Sequence, residues 1–175
     1  MIIVILTLTV LLFSYSMVFL KRGLRRQIIN ALSLVAIVAS IGLIAANDNN
    51  YLGMKKVSQT QTYTLKSSVA TPGTSLLLYH KLGTGNERIY LYRTTSATKL
   101  QKTTLADSRV SLQRNAQQPQ LKVRTTRWVY QNKLAQALFS ITGENGQLAN
   151  CQYQFNLPAN WQLLDTAAAA KMQQK

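Results

Sequence analysis

Lys21-Arg22-Gly23-Leu24-Arg25-Arg26 is a basic hexapeptide set between two stretches, 1–20 and 27–46, that contain no charged residue. A helix needs about 20 apolar residues to cross the roughly 30 Å hydrocarbon core of a bilayer, and each stretch has that length. Six residues permit only a tight connection, so the two stretches are expected to form an antiparallel helical hairpin. Cations in short loops are retained in the cytoplasm, which makes Lys21, Arg22, Arg25 and Arg26 the topology-determining residues. The expected organisation follows. Residues 1–46 form a transmembrane hairpin (1–20 and 27–46, with loop 21–26 cytoplasmic), 47–56 a juxtamembrane linker, and 57–175 an extracytoplasmic domain. This describes a multi-pass protein of the cell membrane with both termini extracytoplasmic. The first stretch has no basic n-region and is longer than a signal-peptide core, so it reads as a retained span.

Neither span carries Asp, Glu, Lys, Arg or His, the residues on which ion pathways and proton relays depend, and this argues against transport. The second span is rich in small residues. Ala36 and Ser40, and Gly42 and Ala46, are pairs four apart, which places each pair on one helix face and allows close backbone approach. The first helix is the favoured neighbour, with Thr7, Thr9, Ser14 and Ser16 available for hydrogen bonds. A partner helix of another membrane protein is the alternative. Asn47-Asp48-Asn49-Asn50 is expected to end the second helix, with Tyr51 at headgroup level.

Beyond Val57 the period changes from helical to alternating. Val57, Gln59, Gln61, Tyr63 and Leu65 oppose Ser58, Thr60, Thr62, Thr64 and Lys66. Ile89 and Leu91 alternate with Arg88, Tyr90 and Tyr92, and Val110 and Leu112 with Arg109, Ser111 and Gln113. Leu121 and Val123 alternate with Lys122 and Arg124. Leu134 to Thr142 reads as a further run, closed by a tight turn at Asn145-Gly146. Cys151, Tyr153, Phe155 and Leu157 then form one face. Thr71-Pro72-Gly73 and Gly83-Thr84-Gly85-Asn86 are turn signals. About seven short strands joined in this way predict an all-β antiparallel sandwich or barrel-like domain. Asp165 or Thr166 is placed to cap a short C-terminal helix, with Lys171 and Lys175 suited to its dipole.

The chain holds 20 Lys/Arg against 5 Asp/Glu, a net charge of +15. Setting aside the four loop cations leaves +11 on the outer part, a surface that attracts polyanions. Outside a cell these are anionic wall polymers, lipid headgroups or released nucleic acid. Cys151 is the single cysteine, and in its alternating context it reads as a buried small hydrophobe. His80, the single histidine, reads as a structural strand residue. One histidine and one cysteine offer no transition-metal ligand set, no cofactor motif is present, and the five carboxylates sit mostly in turns or linkers. No enzyme is expected. The candidate polyanion-binding surface is Arg88, Tyr90, Tyr92, Lys122, Arg124, Trp128 and Tyr130, in which cations and aromatic rings share the face opposite the expected core. Cross-strand aromatic pairing in a second packed layer is the structural alternative.

Asn47-Asp48-Asn49-Asn50-Tyr51-Leu52-Gly53-Met54-Lys55-Lys56-Val57, following two spans, resembles an uncharacterised Gram-positive two-helix membrane protein family with a domain of unknown function. Leu82-Gly83-Thr84 with Glu87-Arg88-Ile89-Tyr90-Leu91-Tyr92, Thr125-Thr126-Arg127-Trp128-Val129-Tyr130 and Trp161-Gln162-Leu163-Leu164 are similar to the same family. The resemblance implies a Gram-positive envelope location and carries over no catalytic or binding residue. Three functions are consistent with these readings. The first is a non-enzymatic membrane-anchored envelope protein whose basic domain contacts anionic wall polymer or lipid. The second is an accessory subunit of a larger membrane complex. The third, least favoured because no nucleic-acid motif is present, is extracellular nucleic-acid capture.

Overall fold

The computed structural model describes residues 1–69, 75–83, 87–104 and 107–173. The turns expected at Thr71-Pro72-Gly73 and Thr84-Gly85-Asn86, and the expected role of Lys175, lie outside these residues. Two compact units are present, one of Met1–Val57 with Arg127–Gln147 and the other of Ser58–Thr126 with Leu148–Lys175.

In the first unit, helices α1 (Ile2–Phe19) and α2 (Leu24–Asn50) form the hairpin. Both are long and apolar enough to cross a membrane, and only 11% of each span is buried. That exposure sets them apart from the enclosed core helices of a soluble fold. On α1 the inward positions are Ile2, Leu6, Thr9, Phe13 and Ser16, with Leu20 next in step just past its end. On α2 they include Asn30, Ser33, Ile37, Ser40, Ile44 and Asn47. Steps of three and four alternate on both helices, which is the 3.5-residue repeat of a coiled-coil seam. Small side chains at the seam let the backbones approach. Ser40 Oγ donates back to Ala36 O at 2.7 Å, and Thr9 Oγ1 donates to Leu6 O at 2.8 Å.

Ala36 and Ala46 flank the seam, half-buried, but Gly42 is not part of it. Gly42 is exposed, and a Cβ built there meets nothing within 4 Å. It lies two residues from Ser40, on the outward side of the helix. Thr7 and Ser14 also point outward.

The connection is shorter than the hexapeptide, because Arg25 and Arg26 already lie in the first turn of α2. The helix also runs through Asn47-Asp48-Asn49-Asn50 rather than ending there. Asn47 is fully buried and its amide donates to Leu52 O at 2.7 Å, so its side chain secures the helix end instead of breaking it. Tyr51 terminates the helix in the left-handed conformation, φ 55°. Its N–H reaches Asn47 O and the Leu52 N–H reaches Ala46 O, a closure in which tyrosine takes the place usual for glycine.

The run 134–142, read as a strand, is helical: α3 spans Lys133–Phe139 and a 3₁₀ turn spans Ser140–Thr142. Asn132 decides this, since its side-chain oxygen accepts from Ala135 N at 2.7 Å and caps the helix. Ala135 and Phe139 close on Ile2, with Ile44, Tyr130 and Leu138 packed around them. The turn at Asn145-Gly146 therefore follows a helix rather than joining two strands.

The strands are β1 (Met54–Lys66), β2 (Leu76–Lys81), β3 (Arg88–Thr94), β4 (Ala97–Lys102), β5 (Ser108–Arg114), β6 (Gln120–Tyr130), β7 (Leu148–Leu157) and β8 (Gln162–Asp165), followed by α4 (Thr166–Gln173). β1 and β6 have residues in both units. The sheet order is β5-β7-β6-β1-β3-β2-β8, with β4 on β3. A helical hairpin followed by a β domain and a short C-terminal helix is thus the fold. The sheet is mixed rather than wholly antiparallel, because β5 pairs β7 and β2 pairs β8 in parallel. Asp165 Oδ1 accepts from Ala167 N at 2.9 Å and starts α4.

The core of the second unit surrounds Phe155, Leu77, Leu121 and Leu157, each fully buried. Cys151 is buried with them, as its alternating context requires. The rings of Tyr90 and Tyr92 lie 5.4 and 5.8 Å from Phe155. Burial, followed by repulsion from Tyr153, Tyr63 and Cys151, pushes the Tyr92 phenol up to about 12. Burial also raises Tyr153, against an opposing hydrogen bond from Thr104.

Candidate functional site

Tyr90 and Tyr92 leave the candidate surface. They are 6% and 7% exposed, inside the core of the β unit, while Ile89 and Leu91 on the other face are half-buried. Every residue of β3 is buried or half-buried. With both faces covered, alternation could not report which one points inward, and the larger rings took the core side.

On β6 the expected phase holds from Leu121, which is buried, through exposed Lys122 and Arg124. Arg88 is half-buried, with its guanidinium carbon 4.8 Å from the Tyr79 ring centre. This is a structural cation–π contact at the edge of the β unit. His80 is exposed, and its Nδ1 lies 2.9 Å from Thr166 Oγ1. It joins β2 to the start of α4, the structural role expected of it, although Leu77 rather than its own face is the buried one.

Trp128 and Tyr130 belong to the hairpin unit, where they take part in a denser arrangement. The Trp128 ring stacks on Tyr51, with centroids 4.2 Å apart and planes 9° from parallel. Lys56 Nζ lies over the same indole at 4.8 Å. Two backbone constraints hold the stack in place. Tyr51 is fixed by the left-handed termination of α2, and Trp128 bonds through its N–H to Gln147 O and through its carbonyl to Gly146 N. Tyr130 is spent structurally, its hydroxyl donating to Phe139 O at 2.7 Å. Arg127 donates to Gly146 O at 2.7 Å. Lys55, Lys56 and Lys133 remain exposed.

The resulting site is a cation over a two-ring stack directly after a long apolar helix. It can present positive charge to an anion beside a flat aromatic surface. Tyr51 and Lys56 were not among the expected surface residues. The signal for both was present in the placement of Tyr51 and Lys55-Lys56 just after the second span. Among the described residues, no group of three or more His, Cys, Asp or Glu is placed to hold a metal ion.

Residues 22–172 match the domain of unknown function DUF4811, and the chain belongs to that family. Comparison with curated proteins and with solved structures gave no match.

Proposed function

We propose that this member of the DUF4811 family is a non-enzymatic, membrane-anchored protein of a Gram-positive envelope. In this reading both termini and the β unit lie outside, and Lys21, Arg22, Arg25 and Arg26 stay in the cytoplasm. The basic outer surface engages polyphosphate-type anions, as lipid headgroups or wall polymer. The observation that carries this is the Tyr51–Trp128 stack with Lys56 above it, immediately beyond α2. Aromatic rings followed by lysines at the end of an apolar helix suit the water–lipid boundary. Exposed Lys122 and Arg124 and the outer net charge of +11 add a diffuse attraction for the same class of partner.

The full chain is the proper material for a test, because cutting at residue 47 would divide the first compact unit. Reconstituted in zwitterionic nanodiscs, it should bind soluble poly(glycerol phosphate) at low salt. Binding should fall at least several-fold as ionic strength rises, because the Debye length shrinks from about 10 Å at 0.1 M to about 3 Å at 1 M. Retention of a neutral dextran to the same extent, or binding indifferent to salt, would overturn the proposal.

A further inference from the structure

We propose that α3 and the 3₁₀ turn after it make a third contact with the bilayer, lying in its interface with Leu134, Ala137 and Ile141 in lipid. This rests on the reading of the hairpin as membrane-spanning. Leu134 is 71% exposed and Ile141 58%. Beyond residue 50, these are the highest values for large hydrophobic side chains among the described residues. Leu134 and Ala137, three apart, share one exposed face of α3, and exposed Ile141 lies in the 3₁₀ turn that follows it. The other face is already used, since Ala135 and Phe139 are closed against Ile2. This is an amphipathic segment with one apolar side satisfied and the other open.

The position of that open side identifies its occupant. Ile2 begins α1 and Ile44 lies in the last two turns of α2, so α3 is held at the end of the hairpin where both apolar helices stop. The Met1 ammonium group fastens it there, donating to Ala137 O at 2.8 Å and Leu138 O at 3.1 Å. Carbonyls at a helix C-terminus lack intrahelical partners, and a cation is favoured beside them. Gly53 allows the chain to pass closely, because a Cβ there would lie 3.1 Å from Ala135 Cβ. At the same end Met1, Ile3 and Leu43 expose apolar surface, so the open face of α3 continues the surface that faces lipid. Exposed Lys133 precedes Leu134, and Lys55 and Lys56 are exposed in the same unit. Lysines flanking an apolar helix face characterise helices that lie in a membrane interface. A segment held in this way sets the depth of the hairpin and keeps Lys56 and Trp128 at the height of the headgroups.

The test uses the full chain in phosphatidylcholine/phosphatidylglycerol vesicles, with a spin label on a single introduced cysteine. The positions are Leu134→Cys, Ile141→Cys, Val38→Cys as the span reference and Leu100→Cys as the water reference. Cys151 stays in place, since its buried thiol is shielded from labelling, and the chain without an added cysteine gives the background. Collision with oxygen reports lipid, and collision with a nickel chelate reports water. Labels at 134 and 141 should resemble the one at 38, with oxygen collisions several-fold above those of the chelate, and the label at 100 should show the reverse. Chelate access at 38 would overturn the membrane reading itself. A lipid-like 38 with water-like 134 and 141 would overturn the third contact alone. Low access to both reagents at 134 and 141 would also overturn it, by showing that protein covers the face.

Discussion

Around Phe155 the β unit closes on aromatic rings, whereas along Ser16, Ser33 and Ser40 the hairpin closes on hydroxyls. The rest of each unit follows the opposite rule. The hairpin turns its large aliphatic side chains outward, among them Leu8, Val18, Leu32 and Val35. The β unit turns outward Lys122, Arg124 and the polar edges of its strands. Burying apolar area drives folding where the surroundings are water. Where the surroundings are hydrocarbon, close approach and small side chains do that work instead. The two units therefore bury different chemistry, and each should respond to a different kind of damage.

Phe155→Ala should produce the largest effect. The ring is fully buried and touches Tyr90 and Tyr92, and its removal costs about 3–5 kcal/mol. Hydrogen exchange in micelles should show β7 amides losing protection while α1 and α2 amides keep theirs. Equal loss in both units would mean that they open as one, with no difference between them in what holds each together.

Gly53→Ala probes the other unit. Gly53 sits at φ 79° with its hypothetical Cβ against Ala135, and holding alanine in that region costs about 1–3 kcal/mol. Protection should fall in α3 and persist in β7. A variant as well protected as the parent would show that the passage beside α3 tolerates a side chain.

The smallest expected effect concerns alkaline pH. The Tyr92 phenol stands at about 12 in the fold against an ordinary value of about 10. The folded state thus holds this proton more tightly than the unfolded chain does. Its contribution is complete below pH 10 and is lost as pH climbs towards 12. The urea midpoint of the β unit should drop across that window, and Tyr92→Phe should shallow the drop. Identical declines in parent and variant would assign the alkaline transition to other groups.

The hairpin was legible because the two uncharged stretches and Lys21–Arg26 dictate it by composition and length. β7 was also legible, its apolar face of Cys151, Tyr153, Phe155 and Leu157 being buried as the alternation requires. Legibility failed where a local pattern was outvoted by its surroundings. β3 is covered on both sides, so its alternation carried no direction, and Tyr90 and Tyr92 were assigned to the wrong face. In α3, Asn132 was the available sign of a helix start, but its neighbours were read in the β context around them. Gly42 looked like a packing residue because small residues four apart mark a face, yet spacing alone does not say which face meets the partner. The Tyr51–Trp128 stack joins residues far apart in the chain, which no local reading brings together.

The solitary sulfhydryl in the aromatic core amounts to a clock supplied with the molecule. A small alkylating reagent can reach Cys151 only when β7 parts from its neighbours. The pace of its modification in the full chain therefore times the spontaneous breathing of the β unit, without dye or tag.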